Sequence, residues 1–66
     1  MENTNTNRLI EEATKLGWQA FADGKKDVPA HDFMVMNLIK SNDGNALIIL
    51  EAWVKAWDAA NMAAPW

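Results

Sequence analysis

Apolar residues recur at helical spacing along three stretches of the chain. Over residues 8–23, Leu9, Ile10, Ala13, Leu16, Gly17, Ala20 and Phe21 fall on one stripe, while Arg8, Glu11, Glu12, Lys15, Gln19 and Asp23 face away. This pattern predicts an amphipathic first helix. Thr6 or Asn7 can cap its start, Glu11 and Glu12 lie near the positive end of its dipole, and Gly24 can take the left-handed conformation that stops it. Residues 1–7 are polar and read as a flexible tail. Gly17 lies on the apolar stripe, where glycine costs a helix up to about 1 kcal/mol relative to alanine. Its use there predicts close approach of another helix. Trp18 projects to the side of the stripe.

Residues 24–29 form a connector, and Pro29 suits the first turn of a new helix. The stretch 30–40 is nearly continuous in apolar residues: Phe33, Met34, Val35, Met36, Leu38 and Ile39. A short run of this kind does not separate buried helix from buried strand. Pro29 and the two methionines favour a helix; the alternative is a hairpin pairing 33–39 with 46–50. Ser41-Asn42-Asp43-Gly44-Asn45 is turn chemistry.

The last stretch, 45–61, is apolar around most of its circumference. Ala46, Ile49, Leu50, Trp53, Val54, Trp57 and Ala60 form one broad stripe, and Glu51, Lys55 and Asp58 a narrow polar face. Ile48, Ala52, Ala56 and Ala59 form a third side, also apolar. A surface helix needs only one apolar stripe a little over about 100° wide. A lone three-element chain can hardly cover two faces of one helix, so a second copy or a target protein is expected to cover the other. Residues 62–66 form a short tail ending in Trp66. The expected architecture is all-α: a compact three-helix domain over 8–61, with the first and third helices as an antiparallel pair touching at Gly17 and Ala56, and the second closing the core.

Composition narrows the function. Sixty-six residues make one small domain, and a domain of this size buries only about 60 % of its unfolded surface. No cysteine is present, so disulfides and thiolate zinc sites are excluded as staples. Dense packing or self-association must supply the stability, and a homodimer is the expected state. Six basic residues stand against nine acidic ones, a net charge of −3. A surface that grips phosphates usually carries a basic stripe, so direct nucleic-acid binding is disfavoured. No apolar run approaches the ~20 residues that span a bilayer, and a cytoplasmic protein is expected.

Candidate chemistry is sparse. His31, the only histidine, stands next to Asp32, and neighbouring helix positions point to different sides. Ser41 has no recognisable base, and neither a phosphate-cradling glycine loop nor metal-ligand spacing occurs. No catalytic, metal or cofactor site is therefore assigned. Three sets remain for binding. The four tryptophans, Trp18, Trp53, Trp57 and Trp66, are the residue type most enriched among interface anchors. Trp53 and Trp57 are expected in the core or a dimer seam. Trp18 and Trp66, with Ile48 and Ala52, are the expected partner-binding surface. Lys25, Lys26 and Lys40 are the candidate nucleic-acid contacts. The acidic residues Glu11, Glu12, Asp23, Asp27, Asp32, Asp43, Glu51 and Asp58 are interleaved with lysines and read as a solvated face.

Two segments carry a family resemblance. Gly17-Trp18-Gln19-Ala20-Phe21-Ala22-Asp23-Gly24-Lys25 and Ala52-Trp53-Val54-Lys55-Ala56-Trp57-Asp58-Ala59-Ala60 resemble the signatures of the ribosome modulation factor family and its small phage and plasmid relatives. Ala56 stands where that family carries a glycine. The resemblance implies a helical hairpin, a bacterial or phage setting, and an association with the ribosome and ribosomal RNA. Together these readings predict a small non-enzymatic protein-binding module, such as a phage or mobile-element accessory that inhibits or modulates a host protein. The alternative is a ribosome-associated factor.

Overall fold

A computed structural model describes residues 3–63, with side chains from Thr6 onward. The described residues form three α-helices, α1 (Asn3–Ala22), α2 (Phe33–Ser41) and α3 (Ala46–Ala63), with 3₁₀ turns at Pro29–His31 and Asp43–Asn45. No strand occurs among them, so 33–39 is helical and does not pair with 46–50.

Helix α1 starts at Asn3, and Thr6 and Asn7 lie inside it instead of capping it. Residues 3–7 are therefore not a tail. Nucleation is the costly step of helix formation, and each further residue adds one hydrogen bond. A polar extension thus stays helical on a helix that packing already holds. The other end stops as expected: Gly24 has φ +80°, its N–H donates to Phe21 O at 3.0 Å, and Lys25 N–H donates to Ala20 O at 2.9 Å. These paired bonds satisfy carbonyls the helix would otherwise leave free.

Helix α2 is started by Asp32, whose side chain accepts from Met34 N–H at 3.1 Å. The second carboxylate oxygen accepts from Trp53 Nε1 at 2.7 Å. One side chain therefore caps α2 and ties it to α3. Asp32 is only 3 % exposed, so it is no part of a solvated acidic face. Its burial is tolerable because both oxygens are hydrogen-bonded.

Helices α1 and α3 form the main pair, but their direction departs from expectation. Ile10 shares a cleft with Ile48 and Ala52, Gly17 abuts Trp53 and Ala56, and the Phe21 and Trp57 rings meet edge-on with centroids 5.4 Å apart. The contacts climb both helices together, so the pair is parallel. A hairpin holds one chain reversal; here there are two, before and after α2. Helix α2 carries the chain back about 14 Å, and α3 then sets off in the direction of α1.

The expected Gly17–Ala56 contact is present and is tighter than two ordinary side chains allow. A Cβ on Gly17 would clash with the Trp53 carbonyl oxygen and lie 2.8 Å from Ala56 Cβ. This close approach decides which side of α3 is buried. Ile49, Ala52, Trp53, Ala56 and Ala60 are buried, whereas Leu50, Val54 and Trp57 are only half-buried. The core, with Leu9, Ala13, Ala20, Val35, Ile49, Ala52 and Trp53, lies where the three helices meet.

Candidate docking faces

Helix α2 has nine residues and buries only one of them, Val35. Leu38 and Ile39 are half-buried. The remaining apolar side chains point outward: Phe33 is 75 % exposed, Met34 60 % and Met36 40 %. A fully buried residue of this kind contributes about 1.5–3 kcal/mol relative to exposure, and most of that is unrealised at Phe33 and Met34. Two shallow clefts flank the exposed ridge. One runs between α1 and α2, lined by Glu12, Leu16, Phe33, Met34, Asn37, Leu38 and Ser41. The other, on the outer side of α2, is lined by Phe33, Met36, Asn37, Ile39, Lys40 and Asp43. Phe33 is common to both, and Lys40 and Asp43 supply a charged rim. The sequence carried a signal for this face. An apolar run wrapping all sides of a short helix cannot be buried whole, any more than that of the last helix can.

The second apolar face lies across α1 and α3, away from α2. Ile10, Ile48, Glu51, Ala52 and Lys55 line a narrow cleft there. Ala52 is 8 % exposed and packs in the core, so it forms the floor of this cleft and is not the surface residue expected of it. Ile48 is 37 % exposed and Trp18 46 %. Trp18 follows Ile10 about two turns along α1 and roughly 80° further around it. Ala59 and Met62 continue the face along α3, both exposed. Trp66, the fourth expected contact, lies outside the described residues.

Of the two tryptophans expected in the interior, Trp53 is fully buried. Trp57 is half-buried, and its Nε1 donates to Lys25 O at 3.0 Å. That bond fastens the capped end of α1 to α3. Asp27 and Asp58 meet at the same end of the molecule. Partial burial, then the neighbouring Asp58 carboxylate and a hydrogen bond with it, push the Asp27 carboxyl above its ordinary pKa.

The three candidate lysines are not brought together. Lys25 and Lys26 lie in the connector at the Trp57 end. Lys40 lies near the end of α2, beside Asp43 and close to the start of α3. Asp27 and Asp58 stand beside the first pair and Asp43 beside the last, so the positive charge is divided between two acidic neighbourhoods. His31 ends the 3₁₀ turn before α2, and Ser41 is the last residue of α2, so the helix separates them. Among the described residues no cluster of His, Asp and Glu has metal-ligand geometry, and no helix is long and apolar enough to cross a membrane.

The fold and its surfaces define a small all-α domain with two apolar faces and no assembled reactive group among the described residues. No family model matches the chain, and no curated protein or solved structure resembles it significantly.

Proposed function

We propose that this chain is a non-enzymatic protein-binding module whose target docks on the outer face of α2. The exposure of Phe33 and Met34 carries this reading, because adjacent large apolar side chains are left in water on a short helix. Contiguous exposed apolar surface with a polar rim is characteristic of protein interfaces. Phe33 is the anchor, Met34 and Met36 adapt to the target through flexible, polarisable side chains, and Lys40 and Asp43 set orientation at the rim. The target is a protein presenting apolar side chains between charges of both signs. The resemblance at Gly17–Lys25 and Ala52–Ala60 supports a bacterial or phage setting, in which such a module inhibits or modulates a host protein in the cytoplasm.

The test is affinity capture from bacterial lysate, comparing the parent chain with the double variant Phe33→Asp/Met34→Asp. The parent should retain a defined protein that the variant loses, with circular dichroism unchanged because both side chains are already exposed. Retention of the same protein by the variant would overturn the assignment. So would capture of ribosomal particles that weakens steeply with salt and is lost in Lys25→Glu/Lys26→Glu, since that signature belongs to phosphate contacts.

A further inference from the structure

We infer that the face across α1 and α3 is covered by a second copy of this chain, packed about a two-fold axis that crosses α3 between Ala52 and Lys55. The cleft offers Ile10 from α1 and Ile48 from α3, with Ala52 as its floor, and Ala59 and Met62 are exposed further along α3, as is Trp18 along α1. On α3 the positions Ile48, Ala52, Lys55, Ala59 and Met62 follow one another at alternating spacings of four and three residues. That spacing keeps a seam against a neighbouring helix along its whole length.

The occupant is identified by charge. The only charged residues in the cleft are Glu51 and Lys55, and neither has an ion-pair partner among the described residues. A two-fold axis makes each contact reciprocal: if residue i meets residue j of the partner, j meets i. With the axis between Ala52 and Lys55, the α3 helices run antiparallel. Each Lys55 then lies over the Ala52 floor of the other copy, beside its Glu51, and each Ile48 lies opposite an Ala59. The small floor leaves room for the aliphatic stem of the lysine while its ammonium reaches the carboxylate at the rim. A single chain thus carries both halves of a matched charge pattern, and an identical chain in reverse direction completes both pairs.

The size of the face is sufficient. The chain is thin in one direction, with extents of 41 × 23 × 14 Å, which leaves two broad sides. An 18-residue helix is about 27 Å long, and two packed helices span about 20 Å. Side-chain relief on a footprint of roughly 500 Å² brings the accessible area toward the ~800 Å² per partner of a standard interface. Face-to-face packing of two α1–α3 pairs makes a four-helix core with one α2 on each outer side. The Phe33–Met34 surface stays free, so this inference does not rest on the target-binding reading.

Sedimentation equilibrium of the purified full chain tests it, together with Glu51→Lys, Lys55→Glu and the swap Glu51→Lys/Lys55→Glu. The parent should be a dimer at micromolar concentrations. Each single reversal should weaken dimerisation at least about tenfold, because the symmetry turns one substitution into two like-charge contacts. The swap restores opposite charges at both contacts and should recover affinity to within about threefold of the parent. All these positions are exposed, so circular dichroism should be unchanged throughout. A parent chain that is monomeric at every concentration overturns the inference, whether the face is empty, meets the chain's own C-terminal residues or waits for the target. Dimerisation insensitive to the single reversals overturns it as well, by placing the contact on another face. Neither result bears on capture of a target through Phe33 and Met34.

Discussion

Gly17 is the residue on which the helix pairing turns. Its absent side chain is the space occupied by the Trp53 carbonyl oxygen and the Ala56 methyl. Gly17→Ala should raise intrinsic helix propensity, yet it forces the two backbones apart. Overpacking of about 1–3 kcal/mol exceeds the propensity gain of up to about 1 kcal/mol, so we expect net destabilisation of about 1–2 kcal/mol in urea unfolding. An increase in stability would show that the helices separate freely and that the contact does not constrain the fold. Asp27 supplies a second test of residue-level physics. Partial burial and the nearby Asp58 raise its carboxyl pKa in the folded state. In the window above the ordinary carboxylate range the folded chain then binds more protons than the unfolded one. The linkage term favours folding at low pH and is lost as pH rises through the raised value. Asp27→Asn should therefore be more stable than the parent at neutral pH. Because the side chain is exposed, the gain should be only about 0.2–0.5 kcal/mol, the size of like-charge effects on helix surfaces. It should vanish as the pH falls below the ordinary carboxylate range. A gain that persists in acid would assign the effect to something other than charge.

At the level of elements, α2 is the weakest part and depends on one side chain. A nine-residue helix is too short to persist alone in water, and it contributes a single buried residue, Val35, to the core. Asp32 compensates by capping α2 and accepting the buried Trp53 indole N–H. Asp32→Ala removes the cap, worth about 1 kcal/mol, and strands a buried donor at about 1–3 kcal/mol. The expected loss is about 2–4 kcal/mol by thermal or urea unfolding. Hydrogen exchange should show the α2 amides losing protection before those of α1 and α3. Asp32→Asn keeps one acceptor and should fall between the parent and Asp32→Ala. Equal stability of all three would mean that Trp53 is held by packing alone. The sequence contains the signal for this cap, an Asp immediately before the first residue of an apolar run. What it does not display is the other half of the bond, because Trp53 lies 21 positions away.

On the scale of the whole molecule, the apolar residues outnumber the places to bury them. Three helices in a body 14 Å thin share one core, and the remainder divides between the α2 ridge and the α1–α3 face. This division makes two surfaces with separate tasks possible in a chain of 66 residues. If the α1–α3 face holds a second copy, folding and association are linked. The unfolding midpoint should then rise with protein concentration, and Lys55→Glu should flatten that dependence. The Phe33→Asp/Met34→Asp variant should keep it intact.

The sequence by itself determined the first and last helices, the Gly24 stop, the turn at 41–45, the Gly17–Ala56 contact and the placement of Trp53 inside and Trp18 outside, whereas the choice of helix over hairpin at 33–39 was made by the fold. The former follow from local spacing, which a chain carries wherever it goes. Three further things were decided only by tertiary structure. Helices α1 and α3 are parallel because α2 takes one chain reversal of its own, whereas the resemblance to a hairpin implies a single reversal. Ala52 and Ala56 are buried ahead of Leu50, Val54 and Trp57 because Gly17 draws the helices to backbone contact, and only small side chains fit where backbones touch. An exposed apolar ridge falls on α2 because a short helix in a corner of a thin molecule has neighbours on one side only. Periodicity shows which residues share a face. It does not say how near the next helix comes, and that distance decides which face the protein hides.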